Sequence, residues 1–353
     1  MSRFVQIHLL TSYPPANLNR DDLGRPKTAT MGGAQRLRVS SQSLKRAWRK
    51  SDLFEQALAG HVGVRTKTMG RQVYAGLVEK GVKEKDAKSW AVEIAGVFGK
   101  MEKEDKKNDD PLHTLDIAQL AHFSPEERQA IDALIVTLAE RGKGPEADEL
   151  SLLRKQHSAA DIALFGRMLA SDPFYNTEAA AQVAHAISVH KVTVEDDFFT
   201  AVDDLNTGEE DVGAGHMGET EFAAGLFYQY ICIDRELLKN NLGGDQALTD
   251  KTLAAFAEAA ATVAPTGKQN SFASRARASY MLAEVGDQQP RSLSVAFLKP
   301  VSGSDMLGLA VESLEKTMKG MDQAYGDCAD KRFVMNVAAG EGSLKGIIDG
   351  ITE

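Results

Sequence analysis

The segment Phe4–Leu10 carries apolar residues on both sides of an alternating pattern. Val5, Ile7 and Leu9 fall on one face, and Phe4, Gln6, His8 and Leu10 on the other. A strand of that kind is covered on both sides, so it belongs inside a sheet with a layer on each face. Other segments must supply its neighbours. Ser279–Val285, Leu293–Leu298 and the apolar run Asp161–Phe165 read as strands, the last leading into Gly166-Arg167-Met168. The segments 178–194 and Glu219–Ile233 read as two long strands. Asp196–Gly218 holds Gly208, Gly213, Gly215 and Gly218 and reads as the flexible loop of a protruding hairpin between them.

Helical periodicity is interleaved with these strands. Leu44, Ala47, Trp48 and Ser51 trace a 3.6-residue stripe behind the candidate caps Ser40, Ser41 and Ser43. Asp52 and Glu55 suggest a further short helix ending near Gly60. Ala87, Trp90, Ala91, Ile94 and Phe98 form an amphipathic stripe. Ser124-Pro125-Glu126-Glu127 is a helix start with a cap, a first-turn proline and a reciprocal glutamate. Ile131, Leu134, Ile135 and Leu138 supply the buried face of that helix. Leu253, Phe256, Ala257 and Ala260 mark a helix ended by Pro265, and Leu307, Val311, Leu314 and Met318 another, capped by Ser304 or Asp305. The class is α+β or α/β, with one core sheet and a mainly helical insertion over 60–160. A charged loop runs through that insertion around Lys100–Pro111.

Charge distribution narrows the function. The 353 residues carry a net −9, which alone argues against a nucleic-acid partner. Residues 1–50, however, hold ten basic and two acidic residues, a local +8, and the remainder carries −17. No carboxylate lies between Asp22 and Asp52. Surfaces normally mix signs, so this run points to an anionic partner engaged at one place. On a helix starting near Ser41, Lys45 and Arg49 are i,i+4 neighbours, and Gln42 and Arg46 are a second such pair. Its N-terminus and serine hydroxyls suit a phosphate. A solvated helix face is the plain alternative. Arg36 and Arg38 read as sharing the basic face of a short extended piece with Leu37 and Val39 opposite, and Arg20, Arg25 and Lys27 sit in a loop flanked by glycine and proline.

Enzymatic motifs are sparse. HExxH, GxSxG, a phosphate-binding loop ending GK[ST] and a dinucleotide fingerprint are all missing from the sequence. Asp21-Asp22, or Asp203-Asp204 near His216, could hold a metal beside phosphates as nucleases require. His185 and His190 face opposite sides of a regular strand and read as core or interface histidines. Cys232 and Cys328, the only cysteines, exclude a disulfide framework and a cysteine-based zinc site. No apolar run is long enough to span a membrane, and MSRFVQIHLLTS lacks a signal-peptide cleavage site, so a cytoplasmic protein is expected.

The run LNRDDLGRPKTATMGGAQRLRVSSQSLKRAWRK closely resembles the CasC family, the backbone subunit of Cascade, the type I-E CRISPR surveillance complex. DIALFGRM, AHAISVHKV, FFTAVDDL, HMGETEF and NLGG match in the family's order, and Thr266-Gly267-Lys268-Gln269 matches more loosely. The resemblance implies an α+β fold of the RAMP superfamily. Its palm is a modified RNA-recognition motif of ferredoxin-like topology, with helical fingers and a β-hairpin thumb in a right-hand shape. The implied palm is 1–59, 161–195 and 219–353, the fingers 60–160 and the thumb loop 196–218. The implied partners are CRISPR RNA, other copies of the chain, target DNA through guide pairing, and the large, small, end-capping and RNA-processing subunits of Cascade. No cofactor, metal or catalytic residue is implied. The implied RNA contacts are Arg20, Lys27, Ser40, Gln42, Lys45, Arg46, Arg49, Arg167, Met168, Thr200, His216 and Met217. Met217 stands where the family has Leu, so the wedge beside the displaced nucleotide stays apolar. The competing reading is a RAMP-type ribonuclease using Asp21 or Asp22.

Overall fold

The structure, a computed structural model, describes residues 2–105, 107–169, 171–201 and 216–353. The chain divides into two compact bodies: Met1–Phe54 with Gln182–Asp234 and Leu253–Glu353, and Glu55–Ala181 with Arg235–Thr252. Its class is α+β.

The first body is built on an antiparallel sheet with β1 (Phe4–Ala16) inside it. The strand order is Lys331–Asn336, Ala278–Gly286, β1, His216–Asp234, Ala186–Ser188, β3 (Ala34–Val39) and β2 (Thr28–Met31). Ile7 lies opposite Ile231 on one side and Ala283 on the other, and all three are fully buried. On the opposite face Leu10 joins Tyr228, Leu282, Phe297, Ala310 and Leu314 in one core cluster. Both faces of β1 are therefore covered, as its alternation predicts. Pro14 and Pro15 end the regular ladder: the register to His216–Asp234 shifts between Tyr13 and Ala16, because proline brings no N–H to a sheet.

The buried face holds one polar network. His8 sits between the Tyr228 hydroxyl at 2.9 Å and the Glu284 carboxylate at 3.1 Å. Arg291 and Arg332 also bind Glu284, the latter at 2.8 Å. Burial disfavours the Glu284 charge, yet hydrogen bonds from His8 and Arg291 keep its carboxyl below the usual range. Burial pushes His8 down despite that carboxylate.

The second body packs helices Met69–Glu79, Glu84–Gly96 and Pro125–Arg141 through Val73, Leu77, Ala91, Ile94, Ile131 and Leu138. The capping box at Ser124 is complete. Glu127 N donates to the Ser124 hydroxyl at 3.2 Å, and Ser124 N to the Glu127 carboxylate at 2.9 Å.

Three strand expectations are corrected. Asp161–Phe165 lies in a helix, Ala160–Phe165, where Asp161 accepts from Gly63 N at 2.8 Å and pairs with His122 at 2.9 Å. Gly166 at φ 80° ends it, a conformation L side chains avoid. Leu293–Leu298 contains a 3₁₀ turn, Ser294–Phe297, because Arg36 takes the Phe297 carbonyl and leaves no ladder there. The long strand expected over 178–194 is two short pieces, Ala181–Val183 and Ala186–Ser188. The hairpin is instead made by Glu195–Ala201 and His216–Asp234, so strand reaches into the segment 196–218 read as loop.

Candidate nucleic-acid interface

The basic loop is held by its own polar groups. The Asn17 amide donates to the Gly24 and Glu221 carbonyls, both at 2.9 Å. Asp21 Oδ1 accepts from Leu23 N and Arg25 N at 2.9 Å, and Arg20 bridges to Pro26. Asp21 thus shapes the turn, while Asp22 is exposed. Arg20, Lys27, Thr28 and Arg38 line an open depression with the two aspartates. Arg38 donates to His185 Nδ1 at 3.0 Å. Partial burial and the charges of Arg38 and Lys27 hold His185 below its ordinary pKa, so its ring accepts rather than adding charge.

The loop leads directly to helix α1 (Ser41–Arg49). Ser40 N donates to the Asn19 side chain at 2.9 Å, and the Ser40 hydroxyl accepts from Ser43 N at 3.4 Å. Ser40 is therefore a buried cap. Leu44 and Trp48, i and i+4, are buried, and Trp48 meets Phe256 edge-on with ring centres 5.4 Å apart. That packing turns Gln42 and Arg46 outward and leaves Lys45 and Arg49 half-buried. Burial pushes the Lys45 ammonium below its ordinary pKa. The first turn carries no carboxylate to occupy its N–H groups.

Arg36 departs from the expected basic face. It is fully buried, donating to the Ser188 and Phe297 carbonyls at 2.9 Å each. The local +8 therefore overstates the cations offered outward.

In the second body, Arg167 is buried against Glu127, with N–O distances of 2.7 and 2.8 Å, and donates to the Arg154 carbonyl at 3.0 Å. Its neighbour Met168 is 83% exposed. Phe174, which sequence reasoning did not single out, is also exposed, with the Lys155 ammonium 5.5 Å from its ring centre. It sits in a single 3₁₀ turn beside Tyr175, whose ring it meets edge-on at 5.1 Å, so it carries no periodic signal.

On the hairpin, Thr200 and Met217 are direct cross-strand partners, and Phe198 opposes Glu219 two residues along on the same face. Met217 and Phe198 are both about two-thirds exposed. Gly218 leaves room for the Phe199 ring, which a Cβ would approach to 2.4 Å. His216 begins its strand, but its side chain lies outside the described residues, as do Asp203 and Asp204. Among the described residues there is no group of three acidic, histidine or cysteine side chains placed to hold a metal, and no helix long and apolar enough to cross a membrane.

Fold and surface together define an α+β protein whose antiparallel sheet carries a cationic loop and helix at its edge. The chain belongs to the family described as CT1975-like protein, whose family model matches residues 5–347. It is similar to a chain of a solved "CRISPR RNA-guided surveillance complex, pre-nicking", at 31% identity over 99% of each chain and a TM-score of 0.84. It is also similar to a chain of a "CRISPR RNA-guided surveillance complex", at 28% identity over 99% of this chain and 98% of that one, with a TM-score of 0.61. No curated protein matches it. These likenesses agree with the CasC resemblance read from the sequence.

Proposed function

We propose that this chain is a non-catalytic, CRISPR RNA-binding backbone subunit of a Cascade-type surveillance complex. Copies join head to tail along one guide RNA, each gripping its phosphate backbone, and the assembled subunits present bases for pairing with target DNA. The observation that carries this reading is the continuity of Arg20, Lys27 and Arg38 with α1: Lys27 and Arg38 are bonded backbone to backbone at 2.8 Å, and Asn19 ties the loop to the cap of α1. Its full-length likeness to chains of RNA-guided complexes supports the same reading.

The chemistry suits a strand held without regard to its sequence. Phosphate contacts position a nucleic acid and carry no base information, and cations with helix N–H groups make such contacts. Arg20, Lys27, Gln42, Lys45, Arg46 and Arg49 take that role, with Ser40 fixing the start of α1. Exposed apolar side chains displace a base by wedging. Met217 and Thr200 on the hairpin take that part, and Met168 supports the kinked strand. Arg167 acts through its buried pair with Glu127, positioning Met168 rather than meeting RNA. Many weak contacts repeated along one RNA give avidity without any single tight site. Large, small, end-capping and RNA-processing subunits complete the assembly, in the cytoplasm.

The rival reading, cleavage by Asp21 or Asp22, is separated by one experiment. The purified protein is incubated with labelled CRISPR RNA, its complementary target and a divalent metal. Protection of the RNA without cutting is expected. Metal-dependent cuts that disappear in Asp22→Ala would overturn the non-catalytic assignment.

A further inference from the structure

A second cationic recess lies at the far end of α1, in the same body. It is an open cleft of about 530 Å³, within the range of small-ligand sites. Arg46 and Lys50, one helical turn apart, line it together with Arg275 and Arg277. Asp52 is the single carboxylate among the lining residues. Arg275 and Arg277 lie in the short segment between Gln269–Phe272 and the strand Ala278–Gly286. Among the described residues, none of Arg46, Arg275 and Arg277 is ion-paired, and all three are exposed. Three exposed arginines around one recess with one lining carboxylate repel one another until an anion enters.

The wall carrying Arg275 and Arg277 is fixed in place. Gly267 packs against the Leu18 carbonyl, where a Cβ would approach to 2.3 Å. Phe272 lies 6.0 Å, ring centre to ring centre, from Phe222 of the sheet. Gln269 lines the cleft, and its amide donates to the Pro265 carbonyl at 2.8 Å. That bond fixes Oε1 as the acceptor, and this oxygen is buried at the wall without a partner. Leu53, Val263 and Ala264 supply an apolar flank.

We infer that this cleft is a second phosphate-ribose site for single-stranded RNA, extending the grip of α1 from its first turn to its C-terminal end through Lys50, Arg275 and Arg277. The inference rests on the RNA-binding reading proposed above. RNA fits the recess better than an acidic protein segment does. Arginine forks pair with phosphate oxygens. The apolar flank of Leu53, Val263 and Ala264 suits a ribose or base.

The test compares the full chain with Arg275→Gln/Arg277→Gln and with Lys45→Gln/Arg49→Gln. Each is titrated with a labelled single-stranded RNA of fixed length across a salt series. Each lost phosphate contact removes roughly 0.7 from the slope of log affinity against log salt, so the Arg275/Arg277 pair is expected to lower it by about 1.4. Both arginines are exposed, and an unchanged circular dichroism melt verifies the fold. An unaltered slope in Arg275→Gln/Arg277→Gln, with a reduced one in Lys45→Gln/Arg49→Gln, overturns the second site and leaves the proposed function standing. A wild-type chain that does not bind the RNA overturns both. Unchanged RNA affinity with lost self-association makes the cleft an interface between copies and equally contradicts the inference.

Discussion

Lys45→Glu combined with Arg49→Glu is expected to abolish RNA-dependent assembly while the monomer stays folded. The two side chains occupy one face of α1, one turn apart. Each reversal exchanges an attraction for a repulsion beside a phosphate. At about 4 Å in water each sign is worth about 1 kcal/mol, so the pair amounts to about 4 kcal/mol, or nearly a thousandfold in affinity. Lys45 is half-buried, so a glutamate there also tests the fold. The neutral pair Lys45→Gln/Arg49→Gln removes attraction without repulsion and should lose less. Sedimentation with RNA at moderate salt reads assembly, and a thermal melt reads folding. Unchanged assembly would remove α1 from the interface.

The second large effect is on stability. Arg167 and Glu127 are both almost wholly enclosed, at 1% and 0% side-chain exposure. Arg167→Met leaves the Glu127 carboxylate buried without its main cation. Breaking one side of a buried pair costs about 3–5 kcal/mol, and replacing both partners by apolar residues recovers much of it. The expected order of stability in urea is therefore wild type, then Arg167→Met/Glu127→Leu, then Arg167→Met. The double change also removes the Glu127 half of the capping box, which keeps recovery incomplete. If Arg167→Met melts as wild type does and loses RNA affinity instead, the guanidinium meets RNA after all.

These two arginine sites show what a sequence can and cannot disclose. The start of the helix at Ser124 was readable because a capping box is local: all its partners lie within four residues. The stripe of Leu44 and Trp48 was readable for the same reason, since a helix brings i and i+4 together whatever surrounds it. Arg36 and Arg38 alternate along one strand, yet only Arg38 stays partly open. Which of them was covered depended on Ser188 and Phe297, 152 and 261 residues further along the chain, and no local pattern carries that information. Arg167 likewise depends on Glu127, 40 residues before it.

The misread strands have a common cause. Asp161–Phe165 and Leu293–Leu298 are short apolar runs, and a run that short has the same pattern in a buried strand as in a buried helical turn. Tertiary hydrogen bonds decided between them: Asp161 to Gly63 and His122 in one case, Arg36 to the Phe297 carbonyl in the other. The cationic cleft was invisible for a related reason. Arg275 and Arg277 lie far from Arg46 in the chain, and nothing near either segment announces that folding brings them to one recess.

If the basic loop and α1 hold one defined RNA, that RNA should travel with the protein. The most direct measurement is ultraviolet absorbance of the freshly purified, unwashed assembly, followed by sequencing of whatever nucleic acid it carries. The expected result is absorbance well above that of protein alone, from RNA of one discrete length bearing CRISPR repeat sequence. Protein free of nucleic acid, or RNA of mixed length and unrelated sequence, would contradict it.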